Sequence, residues 1–511
     1  MEKAMLVTDD VSTSLASSSQ QPPNWVQDAV FYQIFPDRFR RSEGSLARKE
    51  HAFQPWGSPP SRTGFQGGDL DGIREKLDYL QELGVTALYL NPVFASAANH
   101  RYHTYDYYAV DPLLGGNDAL RRLLDDVHAR GMRIVLDAVF NHVGRGFWAF
   151  HHVCESMEQS PYRDWFRIRG YPLRPYTTPE AGNCNYEAWW GLPELPKLNV
   201  DNPVVQDYLL DVARHWIDFG IDGWRLDVPE EIGTPGFWER FRTVVKGASN
   251  DAYIVGELWG TGRGWLDGDR CDGITNYELG RLALGFFARD SLPAEGISIS
   301  GYAVPGLEAA AFAGRVEKML KTHAWEYALA SLNYLDSHDM PRIHHLAGGD
   351  AGAVRLMLAF QMTMPGAPII YYGTEVGITG AGDPACRKAF PWHQPETWDH
   401  DLLSHIRWLV QLRREHEVLR RGYCIQLRAR DAVFAFKRTW HGRIALVVFN
   451  AGRSDTRVQL TNVGGTVEHF TLTDARDSSA LRCIDGQFEP VHVPGRDVRI
   501  FTGREDRPPS T

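Results

Sequence analysis

The stretch that decides the fold is Ile221-Asp222-Gly223-Trp224-Arg225-Leu226-Asp227. This short run is typical of a buried β-strand, and it ends in an acidic residue. Similar short β-branched or aromatic runs recur along the chain. They predict eight strands, over Ala29–Phe35, Val85–Asn91, Arg133–Phe140, Ile221–Asp227, Tyr253–Glu257, Gly273–Tyr277, Leu332–Asp339 and Pro368–Tyr372.

Helical segments alternate with these strands. Leu70–Leu83 and Asn117–Arg130 are amphipathic, as expected of helices that cover a sheet. Repeated strand–helix alternation indicates an α/β protein with a parallel sheet. Eight units favour a closed (β/α)8 TIM barrel over an open, doubly wound sheet.

Two other regions follow different patterns. The connection after the third strand is rich in Trp, Tyr, Pro and Gly, and long insertions of this kind are usually functional. Beyond Arg413, short alternating runs predict a C-terminal antiparallel β-sandwich, with strands over Ala432–Lys437, Arg443–Phe449 and Thr466–Leu472. The predicted organisation is a disordered tail (1–24), a barrel (25–142 and 202–412), an inserted domain B (143–201) and a C-terminal β-domain (413–511).

Composition excludes several classes of protein. The chain has 511 residues and a formal net charge of −10, which argues against a nucleic-acid partner. No apolar run is long enough to predict a membrane span. The N-terminal sequence lacks the pattern of a secretory signal, and the six cysteines lack metal-site spacing, so a cytoplasmic location is predicted. The aromatic content of 12% suits a carbohydrate ligand, although a large core explains most of it.

The ends of the predicted strands carry the chemistry. The third, fourth, fifth and seventh strands end in Asp137–His142, Gly223–Asp227, Gly256-Glu257 and Ser337-His338-Asp339. Singly, each acid is more often a helix cap or a surface ion pair. In a barrel, however, all of these ends meet on one rim, where barrel enzymes hold their active sites.

Three carboxylates on one rim suit glycoside hydrolysis with retention of configuration. That reaction needs a carboxylate nucleophile and a carboxylic acid on opposite sides of the anomeric carbon. Arg225 and Asp227 share one face of a strand, so the guanidinium is expected to favour ionised Asp227, the better nucleophile. Glu257 follows the apolar run Tyr253–Val255, which is expected to raise its pKa toward that of a general acid.

The four strand-end segments, in this order, resemble the best-known segments of the α-amylase family. The resemblance extends from about Val30 to the C-terminal β-domain. It implies that Asp227 is the nucleophile, that Glu257 is the acid/base, and that Asp339 holds sugar hydroxyls and helps to distort the ring. The other residues that it implies in substrate binding are His142 and His338 as hydrogen-bond donors, and Tyr102 as a stacking platform.

Finer features are similar to one branch of that family, the cyclomaltodextrinases, neopullulanases and maltogenic amylases. They are Phe31–Phe39, Leu195–Asn199 and Asp383–Arg387. Glu230 and Glu231 stand where many starch-cleaving amylases have Lys-His. The branch implies oligosaccharide substrates, and we predict that Arg225, Arg387 and Glu231 also contact them.

Three departures from that branch modify the expectations. Only a short tail precedes the barrel, where relatives usually have an N-terminal β-sandwich, so the oligomeric state is left open. Lys197 stands where calcium-dependent relatives have a calcium-binding Asp. The loop Arg40–Gly44 lacks the Asp/Asn-rich pattern of the branch's other calcium site. No calcium or other cofactor is therefore expected. His103 replaces an Asp that grips terminal glucose, which disfavours strict release of single glucose units.

The aromatic residues of the insertion have two explanations. They stack on glucose rings, as we predict for Trp190, or they form a small core of their own; the residues in question are Trp165, Phe166, Tyr186, Trp189 and Trp190. Three functions stay open. The leading one is hydrolysis of α-1,4 bonds in maltooligosaccharides, cyclodextrins or pullulan. The others are transglycosylation or sugar isomerisation on the same scaffold, and a non-catalytic carbohydrate-binding subunit.

Overall fold

Eight parallel strands close into a barrel. The structure is a computed structural model and describes residues 21–44, 53–178, 184–463 and 469–505. The strands neighbour one another in chain order, and the eighth pairs with the first. They are β1 (Phe31–Ile34), β2 (Ala87–Leu90), β3 (Arg133–Ala138), β4 (Gly223–Leu226), β5 (Tyr253–Gly256), β6 (Gly273–Asn276), β7 (Leu332–Asn333) and β8 (Ala367–Tyr371). The predicted fold class is confirmed.

The seventh strand is much shorter than predicted. Its last residue, Asn333, pairs with Asn276 on one side and Pro368 on the other. Pro368 has no N–H to donate to a ladder, and Asn276 caps the following helix by accepting from the N–H of Leu279. The chain therefore leaves the sheet after Asn333. The prediction that β7 runs to Asp339 was wrong, and His338 and Asp339 lie on the loop that follows it.

Helices surround the barrel. One predicted helix, Leu70–Leu83, is divided into two by a turn at residues 75–76. The helices lie at Asn24–Asp28, Pro36–Phe39, Leu70–Arg74, Leu77–Leu83, Gly116–Ala129, Trp148–Ser156, Pro203–Phe219, Phe237–Ala248, Tyr277–Phe287, Ala309–Leu320, Trp325–Ala330, Ile343–Leu346, Ala351–Thr363, His400–Glu415 and Glu417–Arg421. Most of the predicted tail lies outside the described residues, but Pro22 and Pro23 are buried and a helix begins at Asn24, before the predicted boundary.

The insertion after β3 is built around its own aromatic residues. Trp165, Phe166 and Tyr186 are buried, and Phe150 contacts both Phe166 and Tyr186 edge to face. The core explanation is therefore correct for these three side chains. A separate two-stranded sheet, Phe94–Ser96 with Thr104–Val110, lies in the connection after β2.

The C-terminal region forms antiparallel sheets. A seven-stranded sheet contains Tyr423–Arg430, Val433–Trp440, Arg443–Asn450, Asp497–Arg504, Phe470–Asp474, Ala480–Ile484 and Gln487–Phe488, in that spatial order, and a two-stranded sheet pairs Thr456–Val458 with Val491–Val493. The predicted strand over Thr466–Leu472 begins at Phe470, and its first residues lie outside the described part of the chain. Phe434 of this sheet packs on Phe312, and Phe449 packs on Phe287, so one hydrophobic core continues from the barrel into it.

Candidate active site

Arg225 lies at the centre of a buried charge cluster on the C-terminal rim of the barrel. Its Nη1 contacts Oδ1 of both Asp137 and Asp227 at 2.9 Å, and its Nη2 contacts Oε1 of Glu257 at 2.7 Å. All four side chains are buried. One guanidinium therefore holds three carboxyl groups, which lie on β3 and on the residues directly after β4 and β5.

Local backbone features set this geometry. Gly223 lies so close to Tyr253 that a Cβ at residue 223 would stand 2.2 Å from the Tyr253 carbonyl oxygen. Only glycine permits this approach of β4 to β5. Val228, directly after Asp227, has φ 36° and ψ 54°, a left-handed conformation that is costly for a β-branched residue. Its N–H donates to Oε2 of Glu257 at 3.1 Å, so this strained residue links the two proposed catalytic acids.

The protonation of the two acids differs in part from the expectation. Burial raises the pKa of Glu257, as predicted, and Arg225 opposes this effect. Burial also raises the pKa of Asp227 well above its usual value, against the pull of Arg225, and the nearby Glu257 raises it further. Arg225 does favour ionised Asp227, as predicted, but burial outweighs its effect, because Arg225 is shared among three carboxyl groups and each is removed from water.

A second group adjoins the first. Nε2 of His338 lies 2.9 Å from Oδ2 of Asp339, and Arg387 contacts Oδ1 of Asp339 at 3.3 Å. Arg387 also donates from Nε to the main-chain oxygen of His338 at 2.9 Å. The hydroxyl of Tyr102 lies 2.6 Å from His338 Nε2 and donates to Asp137, so it connects this group to the Arg225 cluster.

Asp339 is the acid of this site that solvent reaches. Its side chain is 34% exposed, whereas Asp227 and Glu257 are almost completely buried. Burial opposes ionisation, but the hydrogen bond from His338 and the charge of Arg387 outweigh it and hold the pKa of Asp339 below its usual value. The site therefore presents an ionised carboxylate at its mouth and two harder-to-ionise carboxyls deeper inside.

His142 and the insertion form a further wall. His142 is buried, and burial lowers its pKa to about 3, so the imidazole is neutral near pH 7. Its ring stacks on Trp189 with centroids 4.8 Å apart, and Trp189 stacks on Trp190 at 4.3 Å. Trp190 is 78% exposed and has φ 52°. A bulky residue held in solvent with a left-handed backbone is a feature of binding sites rather than of cores.

Lys197 links the insertion to the barrel. Its ammonium lies 3.3 Å from Glu231 and 3.7 Å from Glu187, and its main chain forms a β-bridge with His142. Glu231 therefore does not join the Arg225 cluster but stands beside the insertion. Within the described ranges, no group of three or more His, Cys, Asp or Glu side chains is arranged to hold a metal ion.

Sequence reasoning missed several polar residues that support the cluster. Asp137 was only part of a motif, although it shares Arg225 with the two proposed catalytic acids. Gln33, Tyr89 and Asn91 are fully or almost fully buried and belong to the same hydrogen-bond network. The available signal was the presence of polar residues in strands that are otherwise apolar, because such groups need partners when buried.

A buried acid pair at the C-terminal rim of a (β/α)8 barrel places the protein among barrel enzymes. A family model described as alpha amylase, catalytic domain, matches residues 33–408. The chain is 40% identical over 444 residues to a cyclomaltodextrinase of Geobacillus thermopakistaniensis (strain MAS1). The aligned region covers 86% of this chain and 71% of the relative. The chain belongs to the α-amylase family and is a glycosidase.

Solved structures show the same relationship. A debranching enzyme of Nostoc punctiforme, soaked with acarbose, superposes with a TM-score of 0.83 at 42% identity, over 94% of this chain and 100% of the other. A cyclic α-maltosyl-(1→6)-maltose hydrolase of Arthrobacter globiformis, in complex with cyclic α-maltosyl-(1→6)-maltose, superposes with a TM-score of 0.82 at 37% identity, over 94% and 100%. The chain thus resembles enzymes that act on α-glucan oligosaccharides. No helix among the described residues is long and apolar enough to cross a membrane.

Proposed function

We propose that this protein is a retaining glycosidase that cleaves α-1,4-glucosidic bonds in maltooligosaccharides, cyclodextrins or pullulan. The observation that carries the proposal is the single Arg225 guanidinium that binds both Asp227 and Glu257, with Asp339 beside them. This arrangement brings together the two carboxyl groups that retaining hydrolysis requires.

The attacking atom in the proposed reaction is Oδ2 of Asp227. Its Oδ1 is held by Arg225, whereas Oδ2 is buried and has no hydrogen-bond partner among the described residues. Asp227 reacts as a carboxylate, whose charge Arg225 stabilises. Its Oδ2 attacks C1 of the sugar and forms the covalent bond as Glu257 transfers its proton to the departing glycosidic oxygen. Water then attacks C1 and releases Asp227, and the proton of that water returns to Glu257. The raised pKa of Glu257 suits the first step, because the acid must enter it protonated.

The other predicted residues bind the sugar. Asp339, ionised and partly exposed, accepts hydrogen bonds from sugar hydroxyls, and Arg387 fixes its position. His142 and His338 donate hydrogen bonds, and Tyr102 packs on the ring. His142 is suited to this role because its Nε2 is buried and has no hydrogen-bond partner among the described residues.

Small, cyclic or branched maltooligosaccharides are the substrate class that the relatives' names favour. The relatives are named as a cyclomaltodextrinase, a debranching enzyme and a hydrolase of cyclic α-maltosyl-(1→6)-maltose. Cleavage of α-1,6 bonds therefore belongs in the same proposal as a second linkage to examine.

A four-substrate comparison tests the proposal. We expect maltotriose, β-cyclodextrin and pullulan to be cleaved faster than soluble starch. Proton NMR of the fresh products should show the α-anomer first, because two displacements at C1 restore the configuration. Initial formation of the β-anomer would contradict the retaining mechanism, and products longer than maltotriose would show that transfer competes with hydrolysis.

A further inference from the structure

The buried hydrogen bonds that lead from Asp137 to His338 have fixed directions. Asp137 is bound by Arg225 and lies 2.6 Å from the hydroxyl of Tyr89 and 2.8 Å from that of Tyr102. A carboxylate paired with a guanidinium only accepts hydrogen bonds. The hydroxyl protons of both tyrosines therefore point at Asp137.

The remaining contacts of Tyr102 must then be donors. With its proton given to Asp137, the hydroxyl oxygen offers only lone pairs to its other neighbours. Those neighbours are Nδ2 of Asn91 at 3.1 Å and Nε2 of His338 at 2.6 Å. Nε2 of His338 therefore carries a proton.

The orientation of two side-chain amides follows in turn. Nδ2 of Asn91 faces the hydroxyls of Tyr102 and Tyr89, so Oδ1 of Asn91 faces Gln33. Gln33 donates from Nε2 to that oxygen at 3.2 Å, and the same Nε2 lies 2.8 Å from Nδ1 of His338. An amide nitrogen has two N–H groups and no acceptor, so Nδ1 of His338 must be unprotonated.

We infer that Gln33 is a positioning residue that holds His338 as a neutral imidazole with its proton on Nε2. The inference rests on the proposed function, in which His338 donates to the sugar. Gln33 lies on β1, fully buried, and its Oε1 has no partner among the described residues. That unpaired oxygen costs stability. Rotating the amide would bring Oε1 against Oδ1 of Asn91, so this cost accompanies the orientation that His338 requires.

The orientation of Gln33 determines the charge of the His338 ring beside Glu257 and Asp339. The groups that face the His338 ring are Tyr102 and Asp339 at Nε2 and Gln33 at Nδ1, while Arg387 binds its main-chain oxygen. A second proton on Nδ1 would oppose the N–H of Gln33. Gln33 thereby keeps a cation away from Glu257, which must hold its own proton. It leaves His338 one N–H, at Nε2, which faces both Tyr102 and Asp339 and is the donor available to the sugar.

Nitrogen NMR of the full-length protein labelled with ¹⁵N-histidine tests this assignment. The His338 signals are those lost in His338→Asn. We expect the wild type at pH 7 to show a proton on Nε2 and none on Nδ1. Gln33→Glu, whose carboxylate accepts a hydrogen bond, should place a proton on Nδ1. A wild-type proton on Nδ1, or an unchanged His338 signal in Gln33→Glu, would overturn the inference.

Kinetics supply the second readout. Gln33→Met keeps the side-chain length and removes the hydrogen bonds, and we expect kcat for maltotriose to fall about 10- to 100-fold with a much smaller change in KM. The matched control is Gln361→Met, because Gln361 is also buried but donates only to the main-chain oxygens of Asn333 and Ile369. An unchanged kcat in Gln33→Met, or an equal fall in the control, would contradict the positioning role. The NMR measurement needs no substrate, so a wild type that fails to cleave maltotriose would refute the proposed function alone.

Discussion

At the scale of single residues, the chemistry depends on how Arg225 is shared. One guanidinium contacts Asp137, Asp227 and Glu257, so no single carboxyl receives its full effect. Burial then dominates, and it raises the pKa of both Asp227 and Glu257. Replacing either acid by its amide should therefore remove an electrostatic cost as well as a reactive group.

Glu257→Gln should show this cost as a pH-dependent gain in stability. A carboxyl whose pKa is raised by folding contributes stability fully below its unfolded pKa, about 4.3, and loses it as pH rises through the folded value. The amide has no such loss. We expect the Tm of the variant relative to wild type to increase between pH 4.5 and pH 8, by about 1–3 °C. The control is Glu317→Gln, since Glu317 is an exposed residue paired with Lys321, and a difference independent of pH would contradict the account.

Trp190→Ala should weaken binding of long substrates selectively. The exposed ring continues the stack from His142 through Trp189, and one aromatic platform contributes about 0.5–1.5 kcal/mol. We expect KM for maltoheptaose to rise about 2- to 10-fold and KM for maltotriose to change little. Trp148→Ala is the matched control, an exposed insertion tryptophan that packs on Tyr162 and Trp165. Equal effects on both substrates would assign Trp190 to the core of the insertion.

The positions of the proposed catalytic acids were predictable from sequence, whereas their protonation was not. Asp227 and Glu257 directly follow barrel strands, Asp339 lies on the loop after one, and the rule that strand ends meet on one rim locates them. The pKa of Asp227 depends on how many carboxyl groups Arg225 contacts, and those groups lie on or directly after three different strands. Gln33 and Asn91 were missed for the same reason, because their partners lie on other strands.

At the scale of elements, the strands were predicted in number and order but not in length. Periodicity detects a strand, but its end depends on what the neighbouring strand can bond. β7 stops after Asn333 because Asn276 begins a helix cap on one side and Pro368 offers no N–H on the other. The burial of the aromatic residues of the insertion likewise depends on tertiary contacts that no local pattern contains.

The positions of Asp227 and Glu257 depend on the close contact between strands β4 and β5. In Gly223→Ala the added Cβ would meet the Tyr253 main chain at 2.2 Å, so β4 must shift and carry Arg225 and Asp227 with it. We expect a loss of about 1–3 kcal/mol in urea denaturation, together with a lower kcat/KM. Gly247→Ala is the control, because Gly247 lies in a helix with open space around it and should become slightly more stable. A fully active Gly223→Ala would show that the strand position does not matter.

The junction of the insertion with the barrel should need no metal ion. The Lys197 ammonium lies between Glu231 and Glu187, and a cation there repels a divalent metal. We expect dialysis against a chelator to leave both Tm and activity unchanged. A large loss of activity that calcium restores would refute this expectation.

At the scale of the whole molecule, the barrel and one face of the seven-stranded C-terminal sheet share a continuous core, and the other face of that sheet has a separate core with the two-stranded sheet. Phe287 and Phe312 on the barrel helices pack against Phe449 and Phe434. Arg438 is fully buried and donates to the main-chain oxygens of Thr363 and Leu419 on the barrel side. This core fixes the helices behind the barrel, and the barrel in turn brings strand ends far apart in sequence to one rim.

The central claim is that two such strand ends supply the nucleophile and the acid/base of a double displacement at C1. Trapping the covalent intermediate tests it most directly, with a 5-fluoro-α-glucosyl fluoride that forms the glycosyl-enzyme faster than water releases it. Digestion and mass spectrometry should place the sugar on Asp227, with no labelling in Asp227→Asn. A label on another residue, or turnover with no covalent adduct and an inverted product, would contradict the account.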